Sequence, residues 1–174
     1  MKQKIIIFEG PDKVGKTEIA KEYASRLGLK YFKNGDEGKN FLDSNSYYVN
    51  LLRYADPYFL SYLKQTETSI VLDRHFPSEW VYSIAFKRKT DMDALTRTDE
   101  MLADMGAQIV ICYRLSYQGR EDDLFPDKIN SSMLENLHNL YITFSEWTKC
   151  HVHFLNVDDE DLNREVLDVI AGTI

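Results

Sequence analysis

The chain has 174 residues, 44% of them hydrophobic, and a formal net charge of −7. This length and composition suit one folded domain with a sizeable core and exclude a disordered or low-complexity chain. The acidic balance argues against a general affinity for nucleic-acid backbone, and no apolar run approaches the ~20 residues of a membrane helix.

A short apolar strand is expected over Lys4–Phe8, followed by the glycine-bearing turn Gly10-Pro11-Asp12-Lys13-Val14-Gly15-Lys16-Thr17. A helix over Thr17–Leu27 stops at Gly28, a residue suited to a helix C-terminus. Leu29–Phe32 is a weak second strand. Ser46–Gln65 reads as helical, but Pro57 predicts a break near Asp56. A third strand, Ser69–Leu72, ends in Asp73. Pro77 opens the next helix, with Trp80, Val81, Ile84 and Ala85 as its apolar face. The run Lys87-Arg88-Lys89 at its end reads as solvated surface. Thr90 and Asp91 look like caps for a helix carrying Met92, Leu95 and Leu102.

A fourth strand is expected over Gln108–Tyr113, with Cys112 as a small core residue. Cys112 and Cys150 are the two cysteines, which make neither a disulfide framework nor a metal motif. With no signal-peptide pattern at the start, they point to a reducing cytoplasm. The strongest amphipathic pattern runs from Ser131 to Lys149. Its stripe of Met133, Leu134, Leu137, Leu140, Tyr141, Phe144 and Trp147 reads as core. A fifth strand over Val152–Val157 and a helix over Glu160–Ala171, with Leu162, Val166 and Ile170 on one side, complete the chain. Apolar strands alternating with helices predict an α/β fold: a doubly wound, parallel, five-stranded sheet in one domain spanning residues 1–174.

The first turn fits G-x-x-x-x-G-K-[ST] between a strand and a helix. Gly10 and Gly15 allow backbone angles that turn N–H groups inward as a nest for anionic oxygens. The following helix points its positive end at the same place. Lys16 reaches terminal phosphates of a nucleotide, and the Thr17 hydroxyl suits Mg²⁺. In open parallel sheets ligands sit at the carboxyl ends of the strands. The segments Asp12–Thr17, Lys33–Asp36, Asp73–Ser78 and Arg114–Asp123 are therefore expected to converge. Asp73 is placed to hold Mg²⁺, directly or through water, and Arg74 offers a fork for a phosphate. His75 reads equally as a buried hydrogen-bonding group or a substrate contact. Arg114 reads equally as part of a donor-site cover or as the partner of a surface acid. Lys33 could touch an acceptor phosphate, although solvated lysine is the plainer reading.

Phe8-Glu9-Gly10-Pro11-Asp12-Lys13-Val14-Gly15-Lys16-Thr17 and Asp73-Arg74-His75-Phe76-Pro77-Ser78-Glu79-Trp80-Val81-Tyr82 resemble the two signature segments of the thymidylate kinases. The resemblance extends from the first strand to the lid and is strongest toward the compact enzymes of bacterial viruses. It implies an ATP- and Mg²⁺-dependent deoxynucleoside monophosphate kinase acting on dTMP or a related pyrimidine nucleotide, as a homodimer. It implies that Asp12 contacts the acceptor 3′-hydroxyl, that Lys13 reaches the transferred phosphoryl group and that Arg74 grips the acceptor phosphate. Ser78 and Tyr82 would line the nucleoside pocket, and Arg120 would belong to a short lid around 114–128. Two departures bear on the base: Ser83 stands where the family often has glutamine, and Leu52-Arg53-Tyr54-Ala55-Asp56-Pro57 is only a loose counterpart of the family's acceptor-orienting aromatic and arginine. A 5-modified pyrimidine is compatible with both.

Three rival readings have their own residues. A kinase of a deoxynucleoside, or of a hydroxymethylated base in DNA, would need a carboxylate base, for which Asp36 and Glu37 are candidates. A GTPase-like switch would carry N-K-x-D, and the chain contains no Asn-Lys dipeptide. A nucleotide-binding module without turnover would keep the loop and release no ADP.

Overall fold

The computed structural model describes residues 3–34, 51–118 and 130–172. Its centre is a five-stranded parallel sheet of β1 (Ile5–Glu9), β2 (Lys30–Lys33), β3 (Ile70–Asp73), β4 (Gln108–Tyr113) and β5 (His151–Asn156). The spatial order is β2-β3-β1-β4-β5. The helices are α1 (Lys16–Leu27), α2 (Asp56–Thr66), α3 (Phe76–Ala85), α4 (Met92–Asp104), α5 (Ser131–Trp147) and α6 (Glu160–Ala171).

Alternation along β1 divides the core. Ile5 and Ile7 face a layer containing Leu60, Leu63, Trp80, Leu95, Leu134 and Phe144, from α2 to α5. Ile6 and Phe8 face Tyr23, Ala24, Leu167 and Ile170, from α1 and α6. Side chains one residue apart on a strand point to opposite faces, so a strand covered on both sides must be apolar throughout. β1 and β3 are buried along their whole length, whereas the edge strand β2 is largely open and β5 is buried only at its end, Leu155 and Asn156. The sheet is doubly wound, as expected.

The order of strands marks the place where sheets of this kind bind ligands. From central β1 the chain crosses to the edge strand β2, returns to β3 beside β1, and then builds outward on the other side through β4 and β5. The winding reverses at β1, and the crevice above that reversal is where open α/β sheets bind ligands. The turn Gly10–Gly15 occupies it.

Local rules explain most boundaries. Gly28 ends α1 in a left-handed conformation, its amide returning to Ala24 and Ser25. The expected break at Asp56 is present: a π-helical turn, Leu51–Ala55, leads into α2 with Pro57 in its first turn. Asp91 caps α4 by accepting from Ala94 N at 3.0 Å. Thr90, the other expected cap, instead donates to Glu79 at 2.6 Å.

Two readings of α3 and its end are corrected. Ile84 is exposed, because residues 76–83 are buried all round and the helix emerges only at its last turn. Arg88 is not solvated surface. Its guanidinium makes a bidentate pair with buried Glu79, at 2.6 and 2.5 Å, and its side chain is 4% exposed. The left-handed turn at Lys87 folds Arg88 back along α3, which no charge pattern in sequence could indicate.

Candidate active site

The turn after β1 has the conformation an anion cradle needs. Gly10, Lys13 and Gly15 have φ of 139°, 61° and 93°. A Cβ on Gly10 would stand 2.2 Å from the Cys112 carbonyl oxygen of β4, so only glycine fits where the turn crosses the sheet. Pro11 and Val14 are buried beneath the turn. α1 then starts at Lys16 with its free N–H groups toward the turn.

Strand β3 delivers the next groups. Parallel pairing sets Phe8 opposite Asp73, so the carboxylate emerges beside the turn. Asp73 Oδ2 accepts from Thr17 Oγ1 at 2.6 Å and from Tyr31 OH at 2.8 Å. Lys16 Nζ stands 3.2 Å from Asp73 Oδ1, an ion pair without hydrogen-bond alignment that leaves this buried oxygen with an open acceptor position. Burial pushes the Asp73 carboxyl up, but Lys16, Thr17 and Tyr31 together outweigh it and hold it below its usual range. Lys16 is lowered by burial and by Arg74, against the pull of Asp73. An ionised carboxylate oxygen with an open acceptor position, beside a threonine hydroxyl, is a donor set for a hard divalent cation.

Arg74 follows in a left-handed conformation, φ 69°, its amide bonded to Phe8 O at 3.0 Å. A non-glycine residue there carries strain of about 1–3 kcal/mol, and such strain collects at working sites. The twist sends the guanidinium back across the turn. Nη2 donates to Asp12 Oδ1, and Nη1 donates to Ser78 Oγ at 2.9 Å and Tyr141 OH at 3.4 Å. Tyr82 OH donates to Asp12 Oδ2, and the Tyr82 ring lies 5.5 Å from the guanidinium carbon. Burial alone would raise Asp12, but Arg74, Tyr82 and Lys16 outweigh it and keep the carboxyl below its usual range. Burial opposes the charge on Arg74 too, yet Asp12, Tyr82, Tyr141 and Glu9 together outweigh it and hold the guanidinium charged.

Asp12, Lys16, Thr17, Asp73, Arg74, Ser78 and Tyr82 therefore meet in one place. Arg114 extends the rim: its Nη2 would lie 3.7 Å from a Cβ on Gly15, and it pairs with Asp158 after β5. The pairing with Asp158 matches the surface-acid reading. Lys13 is exposed at the crest of the turn. Lys33 is exposed on edge strand β2, where it lies opposite Asp73 in register. Arg53 is not drawn into the Asp12–Arg74 group; it pairs with Asp91 at 2.5 Å, over the start of α4. Arg120, Asp36, Glu37 and most of the 114–128 segment lie outside the described residues.

Four participants were not singled out from the sequence. Glu9, with 0% exposure, accepts from His75 N and Ser78 Oγ, both at 2.7 Å, and from Tyr141 OH at 3.0 Å. A charged residue closing an apolar strand was its available signal. Tyr141 comes from the middle of the α5 core stripe, and nothing in that periodicity separates it from a packing residue. Tyr31 arrives from the weak edge strand. Asp56 stands 3.4 Å from His75 Nε2, and although burial lowers the His75 pKa, Asp56 outweighs it and raises it overall. Among the described residues no group of three or more His, Cys, Asp or Glu forms a metal cluster, and no helix is long and apolar enough to cross a membrane.

No protein-family model matches the chain. Solved structures do. A YorR protein from Bacillus subtilis, in complex with phosphorylated GDP, is 17% identical, with 97% of this chain and 95% of that chain covered and a TM-score of 0.66. Thymidylate kinase from Ehrlichia chaffeensis is 16% identical, with 99% of each chain covered and a TM-score of 0.63. Deoxyadenosine kinase from M. mycoides with bound dCTP is 19% identical, with 98% of this chain and 100% of that chain covered and a TM-score of 0.57. At these identities the likeness shows a shared fold over essentially the whole chain.

Proposed function

We propose that this chain is a nucleoside monophosphate kinase that transfers the ATP γ-phosphoryl group to dTMP or a related, 5-modified pyrimidine deoxynucleotide. One observation carries the reading: the guanidinium of Arg74 reaches Asp12 inside the phosphate-binding turn, while Thr17 and Asp73 pair beside it. Groups suited to two phosphates and one divalent ion thus share a single crevice. The fold shared with a thymidylate kinase and a deoxyadenosine kinase supports it.

Magnesium–ATP bound here would supply the phosphoryl group and neutralise part of its charge. The loop amides and Lys16 bind the β- and γ-phosphates, and Thr17 and Asp73 hold the metal ion. Lys13, Arg74 and Arg120 balance the charge that spreads over the transferred group, and Arg114 borders the donor side. Asp12, Ser78 and Tyr82 orient the acceptor. Phosphoryl transfer relies on positioning and electrostatics. An acceptor phosphate with a second pKa near ~6 is already a nucleophilic anion at neutral pH and needs no base. The carboxylates in the described part of the site suit that chemistry: Glu9, Asp12 and Asp73 are each committed to several donors or cations. An alcohol acceptor would need either one of them released as a base or Asp36 or Glu37, which lie outside the described residues.

Ser83 supports a base pocket unlike one lined by glutamine. Its hydroxyl donates to Trp80 O of its own helix at 2.9 Å, so its proton is committed within α3. The test is a panel of deoxynucleoside monophosphates, including 5-substituted uracils, assayed with ATP and Mg²⁺ for ADP release. Turnover of a pyrimidine monophosphate is expected. Turnover of nucleosides or DNA, with none of any monophosphate, would replace this reading with the alcohol-kinase one. ATP binding without ADP release would leave a binding module. Assembly as a homodimer in a cytoplasmic compartment belongs to the same proposal, and sedimentation of the purified protein tests the dimer.

A further inference from the structure

Helix α3 carries Ser78 and Tyr82, and Arg74 lies just before it. The first N–H groups of a helix have no partner within it and need an acceptor from elsewhere. His75, at the cap position, makes no side-chain cap. Pro77 has no N–H, which removes one of the orphan donors. The acceptor comes instead from another element. Glu9 Oε1, at the end of β1, accepts from His75 N at 2.7 Å and from Ser78 N at 3.3 Å, an amide it shares with His75 O at 3.1 Å. A buried carboxylate at a helix N-terminus also gains from the helix dipole.

The other oxygen has a separate task. Glu9 Oε2 accepts from Ser78 Oγ at 2.7 Å and Tyr141 OH at 3.0 Å. With their protons committed to Glu9, these hydroxyls turn oxygen lone pairs toward Arg74, whose Nη1 donates to both. The order is therefore Arg74 to two hydroxyls to Glu9, and every proton points one way. Glu9 immediately precedes Gly10, so the phosphate-binding turn and the acceptor-side arginine hang from the same residue.

We propose that Glu9 is a positioning residue for phosphoryl transfer: it caps α3 from the root of the phosphate-binding turn and, through Ser78 and Tyr141, sets the Arg74 guanidinium toward the acceptor phosphate. This rests on the kinase reading above, and neither the turn motif nor the metal-side carboxylate requires it. Misplacement of about 1 Å can cost about a hundredfold in rate, so the effect falls on acceptor use while the donor cradle stays intact.

Glu9→Gln is the decisive variant because it keeps the volume and reverses one polarity. Whichever way the amide lies, its NH2 confronts either the two backbone donors or the hydroxyl–arginine chain. Acceptor KM is expected to rise about ten- to a hundredfold, with ATP affinity retained and the pH profile unchanged in shape. Two kinetic results overturn the proposal. One is an equal loss of ATP and acceptor binding. The other is a fall in kcat at unchanged acceptor KM with loss of the acidic limb of the profile, which would mark Glu9 as a base. Amide hydrogen exchange tests the cap without reference to activity: exchange at His75 and Ser78 is expected to accelerate in Glu9→Ala, or in Glu9→Gln if the alanine variant does not fold. Unchanged exchange there overturns the cap. If the native chain phosphorylates no monophosphate, the kinase reading and the acceptor-positioning role fall together, and exchange alone still decides whether Glu9 caps α3.

Discussion

Arg74→Ala separates charge from backbone strain at the centre of the site. The guanidinium is 6% exposed and bonds Asp12, Ser78 and Tyr141. Removing one partner of a fully buried ion pair costs about 3–5 kcal/mol. Asp12 is 30% exposed on its side chain and keeps the Tyr82 hydroxyl, so it can rehydrate. The loss of stability should then be about 2 kcal/mol, a fall in Tm of about 4–8 °C for a chain of this size. Arg74→Gly loses the same charge but relaxes the left-handed backbone, φ 69°. It should be about 1 kcal/mol more stable than the alanine variant and equally defective. For activity, loss of a fixed charge facing the acceptor phosphate should lower acceptor kcat/KM by about 10²–10³-fold. Steady-state ADP release with varied monophosphate, a fluorescent ATP analogue for donor affinity and thermal melts measure the three quantities. Equal loss of donor and acceptor affinity, or acceptor kinetics within about twofold of native, would refute the assigned role.

Gly10→Ala drives a Cβ to 2.2 Å from the Cys112 carbonyl oxygen and should cost about 3 kcal/mol or more, with loss of ATP binding. Gly28→Ala, with φ 64° and open space around it, should cost about 1 kcal/mol and leave kinetics unchanged; the two are compared by chemical denaturation and ATP titration. Asp73→Asn should lower kcat by about 10²–10³-fold and shift the Mg²⁺ dependence to higher concentration, measured by metal titration of the rate. Glu79→Ala leaves the buried Arg88 charge unpaired and should destabilise by about 3–5 kcal/mol, whereas the double replacement Glu79→Leu with Arg88→Met should recover most of that in the same melts. His75 has a raised pKa in the fold, so its pairing with Asp56 stabilises below the ordinary histidine value of 6.5 and is lost as pH rises through the raised one. Asp12 and Asp73 have lowered values, so their contribution is present above 3.8 and is lost as pH falls through the lowered ones. In melts across this range, the stability difference between native protein and Asp56→Asn should be largest below 6.5 and shrink as pH rises above it, while the two coincide in the slope of the acid limb.

The fold and half of the site were readable along the chain because their determinants are local. Five apolar runs, the glycine turn and the proline and glycine boundaries depend on neighbours within a few residues. Asp73-Arg74 could be placed at a strand end, since parallel sheets bind at that edge. The edge strands and the Arg88 fold-back were less legible, because exposure and a single left-handed residue decide them. The loose match around Arg53 shows the same limit: its partner, Asp91, lies 38 positions away.

The order of residue types alone determined the glycine turn proposed as a phosphate cradle, because turn, helix start, lysine and hydroxyl are contiguous. It also determined that a carboxylate and an arginine leave a neighbouring buried strand. Only the tertiary structure decided what these groups face. Parallel register sets Asp73 beside Thr17, the left-handed bond at Arg74 turns its side chain over Asp12, and packing of α5 brings Tyr141 to Glu9 across 132 positions. The physical reason is range: backbone propensity acts over one or two turns, whereas the buried hydrogen bonds and ion pairs of the site exist only once distant elements have closed around them and water has been excluded.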